Sequence, residues 1–193
     1  MSLRSKILLA CSLIVLGVAV RLLPHAWNAT PLVASTILSG LYLGKRWALI
    51  VPIVTMLIGD IFIGFYEWPL MICVYSCFAL IGYLSSRKLF AKKYNDLMLL
   101  SVSSSVIFFL ATNWAVWQFT PWYTKTASGL LYCYFLALPF FRNAIFGDLF
   151  YTLTLFTICE LTLRNVIPGF LSNRPQKLVI STLNHLKMLD RDA

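Results

Sequence analysis

Residues 47–66 read WALIVPIVTMLIGDIFIGFY, an apolar run in which Asp60 is the one charged side chain. A helix needs about 20 apolar residues to cross the roughly 30 Å hydrocarbon core of a bilayer. Lys45 and Arg46 stand close before this run. The stretch therefore predicts a transmembrane helix that begins at a basic, cytoplasmic boundary.

The composition of the whole chain also indicates that lipid surrounds most of the protein. Of its 193 residues, 60% are hydrophobic and 12% are charged, whereas soluble domains have roughly half and a quarter. So few charges cannot cover a surface that faces water. The net charge of +9 would also suit a nucleic-acid-binding protein. However, the basic residues lie in short gaps between apolar runs, which favours a membrane protein with no nucleic-acid partner.

Five further stretches are long enough, or nearly so, to cross the bilayer. The six predicted spans are residues 7–23, 30–44, 47–66, 69–84, 97–119 and 139–163. The second span is short and is not expected to cross fully by itself. Residues 126–138 form a seventh apolar stretch that would reach only about 20 Å as a helix, so we predict a short re-entrant or interfacial helix before the last span.

The Lys and Arg residues favour one orientation of these spans. If the N-terminus is inside, every basic residue except Arg21, Lys125 and Arg142 falls on the cytoplasmic side, and so do both termini. We expect an all-α membrane protein of the bacterial inner membrane, with one transmembrane domain over residues 1–171. The basic tail, residues 172–193, would be either an amphipathic helix on the inner leaflet or a loosely ordered segment.

Polar side chains gather toward the predicted outer face. An ionisable side chain at the bilayer centre costs about 2.5–3.5 kcal/mol, so those that remain usually face the protein interior and a function. The predicted substrate-binding residues are Arg21, His25, Asn28, Asp60, Asn113, Trp117, Arg142, Asn143 and Asp148. The arginines would bind a carboxylate or phosphate, and the aspartates a cation or hydrogen-bond donors. The alternative is a set of Arg–Asp ion pairs that only hold helices together.

Motifs for catalysis or metal binding are absent from the sequence. It contains no G-x-S-x-G, H-E-x-x-H, P-loop or dinucleotide-binding motif. The five cysteines lie in apolar segments without a histidine at ligand spacing, which favours packing over a metal site. We therefore predict no catalytic residue, metal or cofactor. An enzyme that uses His25 beside Asp60 or Asp148 is a less favoured alternative.

A short sequence repeat occurs in the third and sixth predicted spans. Residues 59–62 read GDIF and residues 147–150 read GDLF. In an inverted repeat of three plus three helices, these spans would correspond and run in opposite directions, as in many transporters. Four residues also recur by chance, so both interpretations stay open.

Several of these stretches resemble a family of uncharacterised bacterial membrane proteins. That family is regarded as similar to the substrate-binding S components of energy-coupling factor (ECF) transporters. The matching stretches are residues 21–25 (RLLPH), 28–31 (NATP), Asp60, 112–117 (TNWAVW), 139–143 (PFFRN) and 147–151 (GDLFY). They extend over most of the predicted membrane domain.

The resemblance implies a six-helix subunit that captures a small solute, such as a vitamin or related metabolite, in a pocket open to the outside. Its partners would be a transmembrane coupling protein and two ABC ATPases, and the subunit would hydrolyse nothing itself. S components often present an A-x-x-x-A face on the first helix to the coupling protein. Here Ala10 and Gly17 offer a looser version of that face. A membrane scaffold or assembly protein is the alternative function.

Overall fold

The computed structural model describes residues 3–24, 29–87 and 94–166. The helices are α1 (Leu3–Leu22), α2 (Leu32–Leu38), which continues as a π-helix (Ser39–Leu43), α3 (Lys45–Ile63), α4 (Trp68–Ser85), α5 (Tyr94–Phe119) and α6 (Ala127–Val166). The chain divides into two compact units, residues 1–156 and 157–193. Of the second unit, the described part is the helical end of α6. The predicted tail, residues 172–193, lies outside the described residues.

Five of the described helices, α1, α3, α4, α5 and α6, are long and apolar enough to cross a membrane. At most 39% of the apolar window of each helix is buried inside the protein, so most of its side chains point outward. Among the outward-facing residues, Leu8, Phe62 and Leu131 are each at least 69% exposed. A surface this apolar suits lipid rather than water, which confirms the predicted multi-pass α-helical membrane protein.

The second predicted span is a short central helix. Leu32–Leu43 is 12 residues long, about 18 Å at the rise of a helix, and every residue of α2 is buried. It packs against α1, α3, α4 and α5, so lipid does not reach it. Two of its hydroxyl groups bond to backbone carbonyls within the helix, whereas the buried Ser35 hydroxyl has no hydrogen-bond partner among the described residues. Thr36 donates to the Leu32 carbonyl at 2.7 Å and Ser39 donates to the Thr36 carbonyl at 2.8 Å.

Two glycines with positive φ set the ends of α3. Gly44 (φ 93°) separates the π-helix from α3, and Gly64 (φ 109°) follows the last residue of α3. Residues with a Cβ rarely adopt this backbone conformation. The Gly64 amide donates to the Asp60 carbonyl at 2.9 Å, which closes the last turn in the way glycine commonly does at helix ends. Asp60 is thereby held one turn from the end of the helix.

The small-residue face of α1 is used inside the chain. Ala10 is 1% exposed, and a Cβ added to Gly17 would lie 2.6 Å from Cγ2 of Thr55 in α3. Small residues allow two helix backbones to approach closely. Gly17 therefore faces α3, and both Gly17 and Ala10 are buried inside the chain. Contact of α1 with a coupling protein stays a prediction.

Residues 126–138 do not form a separate helix. They extend the last span as one 40-residue helix, α6, which continues through Pro139 and is about 60 Å long. Proline removes one backbone hydrogen bond and strains the preceding turn, but α5 supports α6 on both sides of it. The Tyr134 hydroxyl donates to the α5 backbone at 2.7 Å, and Phe141 stacks on Phe109 with ring centroids 4.3 Å apart. The predicted re-entrant or interfacial helix is therefore wrong.

A prediction follows from the close approach of α3 and α4 at Gly82. A Cβ at Gly82 would lie 2.2 Å from the Ala48 carbonyl oxygen, so Gly82→Ala forces the two helices apart. We expect a loss of about 1–3 kcal/mol of stability through overpacking, although alanine favours helices more than glycine does. Thermal unfolding of the detergent-solubilised protein measures this loss.

The matched control is Ser76→Ala, at an exposed position of the same helix, where the change should stay within about 0.5 kcal/mol. Equal melting temperatures for Gly82→Ala and the unsubstituted protein would contradict the contact.

Candidate functional site

A cavity of about 370 Å³ lies at the end of the bundle where α1 and α3 end and α2 begins. Its lining residues are Arg21, Thr30, Leu32, Val33, Met56, Ile63, Tyr66, Val74, Phe78, Phe108, Ala144 and Asp148. They come from all six helices and two connecting segments. Most are apolar, with a few polar groups among them, and the volume falls in the usual range of small-molecule sites, about 300–1,000 Å³.

Arg21 forms an ion pair with Asp60 inside the protein. A guanidinium nitrogen of Arg21 donates to the Asp60 carboxylate, whose side chain is 0% exposed. The Tyr75 hydroxyl donates to the other carboxylate oxygen at 2.8 Å. A buried charge is tolerated when it is paired and its remaining oxygen is hydrogen-bonded. This ion pair joins α1, α3 and α4.

Glycine makes room for that ion pair. A Cβ on Gly59 would lie 2.9 Å from Cδ of Arg21, so the arginine stem crosses α3 where no side chain blocks it. The second guanidinium nitrogen of Arg21 donates to the Met56 carbonyl at 3.3 Å and lies 2.9 Å from the Met56 sulfur. Both terminal nitrogens of Arg21 are therefore engaged by α3.

Tyr66 lies beside the ion pair, in the connection between α3 and α4, and also lines the cavity. Burial, and then the nearby Asp60 carboxylate, raise the pKa of Tyr66 to about 12. Its hydroxyl therefore stays protonated at physiological pH. A neutral phenol can donate or accept a hydrogen bond at the cavity wall.

Asp148 contributes a second carboxylate to the cavity. It is 4% exposed, and its Oδ2 accepts a 2.6 Å hydrogen bond from the Ser105 hydroxyl. Among the described residues it has no cationic partner. A carboxylate in the middle of a membrane helix is costly, so a retained one usually serves a function.

Asn113 belongs to a neighbouring, smaller space. A second cavity of about 130 Å³ lies between α5 and α6, and Asn113 is among its lining residues. Its side-chain amide donates to the Phe109 carbonyl one turn earlier at 2.8 Å. Phe108 and Ala144 line both cavities, so these two side chains lie between Asn113 and the larger cavity.

Trp117 forms hydrogen bonds with the segment that connects α5 and α6. Its indole nitrogen donates to the Thr124 carbonyl at 2.9 Å, and its own carbonyl accepts from the Lys125 ammonium. Lys125 also donates to the Thr120 carbonyl at 2.6 Å. A lysine at this place satisfies carbonyl groups that the end of a helix leaves free. Trp117 is absent from the lining of both cavities.

Arg142 and Asn143 also lie outside the two cavities. The Arg142 side chain is exposed, and within the described part of the chain it forms no ion pair. The structure therefore does not bring the two predicted anion-binding arginines together, because Arg21 faces the cavity and Arg142 faces away. His25 and Asn28 lie outside the described residues.

The prediction missed Tyr75, Ser105 and the aromatic pair Phe78 and Phe108. The ring centroids of Phe78 and Phe108 lie 5.4 Å apart, and both rings line the cavity. The sequence does signal Ser105, because residues 101–105 read SVSSS inside an apolar span, and Ser101, Ser104 and Ser105 are all buried. Tyr75 and the phenylalanines carry no such signal, since aromatic residues are frequent along α4 and α5.

The ion pair generates a prediction about stability. Arg21→Leu leaves the Asp60 carboxylate buried without a counter-charge, and removing one partner of such a pair costs about 3–5 kcal/mol. Adding Asp60→Asn to that variant should recover part of the loss, since no unpaired charge then remains. Thermal unfolding in detergent measures both changes.

Arg142→Leu is the matched control, because it removes an exposed arginine and should alter stability by about 0.5 kcal/mol or less. Equal losses for Arg21→Leu and Arg142→Leu would show that the ion pair contributes nothing.

Comparison with known proteins identifies a family. Residues 1–172 match the group described as "Family of unknown function (DUF6580)". No curated protein and no solved structure matches the chain. The matched range contains every described helix and both cavities. Because the match covers most of the chain, this protein belongs to the DUF6580 family.

Proposed function

We propose that this protein is the substrate-binding membrane subunit of an uptake transporter for a small solute, such as a vitamin or related metabolite. The observation that carries the proposal is Asp148, a buried carboxylate on the wall of a 370 Å³ cavity with no cationic partner among the described residues. A carboxylate that only joined helices would be paired, as Asp60 is. A carboxylate that faces a cavity without a cationic partner can bind a ligand there.

The resemblance to ECF S components supplies the rest of the proposal. In this form the protein binds the solute from outside and hydrolyses nothing, and a coupling protein with two ABC ATPases shifts it between outward-open and inward-open states. Since Ala10 and Gly17 are both buried inside the chain, the coupling protein would contact another surface of the bundle. The proposed location is the bacterial inner membrane.

The proposed orientation places both termini in the cytoplasm and the cavity toward the outside. It is supported by the excess of Lys and Arg in the inner segments. We expect a green fluorescent protein fused after Ala193 to fluoresce. We also expect alkaline phosphatase to be active when fused after Thr124 and inactive when fused after Arg87. Active phosphatase after Ala193 would contradict the orientation.

A membrane scaffold is the second candidate function, and the Arg21–Asp60 pair favours it. That pair is closed by Tyr75, as expected of charges that only hold helices together. A scaffold predicts that no small molecule stabilises the protein. The two functions therefore differ in a single measurement.

That measurement is a thermal-shift screen of the purified protein against vitamins, nucleobases, amines and small carboxylates. A ligand at 100 times its Kd adds about 2.7 kcal/mol of stability, so we expect at least one compound to raise the melting temperature. Ala144→Leu adds bulk where both cavities share a wall and should abolish the shift.

Ala127→Leu is the matched control, because Ala127 is exposed at the start of α6 and lines neither cavity. It should keep the full ligand-induced shift. Absence of any stabilising compound across a broad library would instead favour the scaffold.

A further inference from the structure

The charges around the larger cavity do not balance. Arg21 and Asp148 line it, while Asp60 lies behind Arg21 and is paired with it. The ion pair is neutral as a unit, so the Asp148 carboxylate is left as the uncompensated charge among the described residues. Within the described part of the chain, Asp148 in its ionised form therefore gives the wall of the cavity one net negative charge.

We infer that the ligand of this cavity is a small organic cation, an ammonium group on an apolar body. This inference rests on the proposed solute-binding function and names its substrate class. It reverses the expectation from sequence that two arginines bind a carboxylate or phosphate.

Asp148 has the geometry to receive such a group. One of its oxygens accepts the Ser105 hydroxyl at 2.6 Å, which fixes the carboxylate on the cavity wall. The other oxygen has no donor within the described part of the chain. Hydrogen bonds from an ammonium group to a carboxylate are short and strong, and their electrostatic attraction is stronger still where water is scarce.

The rest of the lining fits the apolar body of the ligand. Phe78 and Phe108 place two tilted rings, 5.4 Å apart, against the space, and Val33 and Met56 add aliphatic and thioether surface. Aromatic faces attract ammonium groups as well as apolar carbon. These four side chains offer a phosphate or carboxylate no hydrogen-bond donor.

Arg21 is poorly placed to bind an anion. One terminal nitrogen donates to Asp60, and the other lies 3.3 Å from the Met56 carbonyl oxygen. An anion would have to compete with the Asp60 carboxylate, which is 0% exposed and also held by Tyr75. Arg142 cannot assist, because its side chain is exposed and lies outside the cavity.

The test compares probes that share a shape and differ in charge, on the full chain in detergent. The first set is benzylamine, benzoate and benzyl alcohol, and the second is tryptamine and indole-3-acetate. We expect the amines to raise the melting temperature of the unsubstituted protein and the carboxylates to leave it unchanged. This comparison needs no variant, so it holds even if a substitution prevents folding.

Asp148→Asn removes the charge with little change of shape and should weaken amine binding at least tenfold. Glu67→Gln is the matched control, because Glu67 is an exposed carboxylate at the start of α4 that does not line the cavity. It should keep full affinity for the amines.

The outcomes separate this inference from the function on which it rests. Carboxylates or the neutral alcohol binding as well as the amines, or equal amine affinity in Asp148→Asn, would overturn the cationic substrate class and leave solute binding in place. If neither these probes nor the broader library shift the melting temperature, solute binding itself fails, and the cationic class fails with it.

Discussion

The ion pair between Arg21 and Asp60 is the constraint on which this end of the bundle depends. Neither charge could remain buried alone at an acceptable cost. The ion pair fixes the end of α1 against α3. The Tyr75 hydroxyl of α4 donates a 2.8 Å hydrogen bond to the same carboxylate and so joins a third helix to the pair. Gly59 supplies the space that the arginine needs. The ion pair thus holds three helices together beside the cavity.

The two Gly-Asp pairs of the sequence, residues 59–60 and 147–148, have different surroundings in the fold. Gly59 admits Arg21, and the adjacent Asp60 is neutralised. Gly147 leaves room for the segment before α2, since an added Cβ would lie 2.9 Å from Ala29. Among the described residues, the adjacent Asp148 accepts a hydrogen bond only from the Ser105 hydroxyl. One aspartate stabilises the bundle, and the other is left facing the cavity. This asymmetry distinguishes an aspartate that pairs two helices from one that lines a cavity.

Two local patterns have an outcome that depends on their neighbours. The short length of residues 126–138 suggested a separate helix before the last span, yet α6 continues through Pro139 and α5 packs on both sides of that proline. Ala10 and Gly17 suggested a face for a partner protein, yet both are buried inside the chain and Gly17 lies against Thr55 of α3. A small residue or a proline limits what a helix can do, and the packing around it selects among the remaining options.

The amino-acid sequence by itself determined the solvent, the helical class and the approximate spans, because hydropathy and charge act locally along the chain and need no knowledge of contacts. It also identified Arg21, Asp60 and Asp148 as costly charges that require an explanation. Only the tertiary structure decided which aspartate pairs with which arginine. A charge 39 positions away, such as Asp60 from Arg21, becomes a partner only when two helices pack with the right rotation, and no spacing in the sequence encodes that rotation.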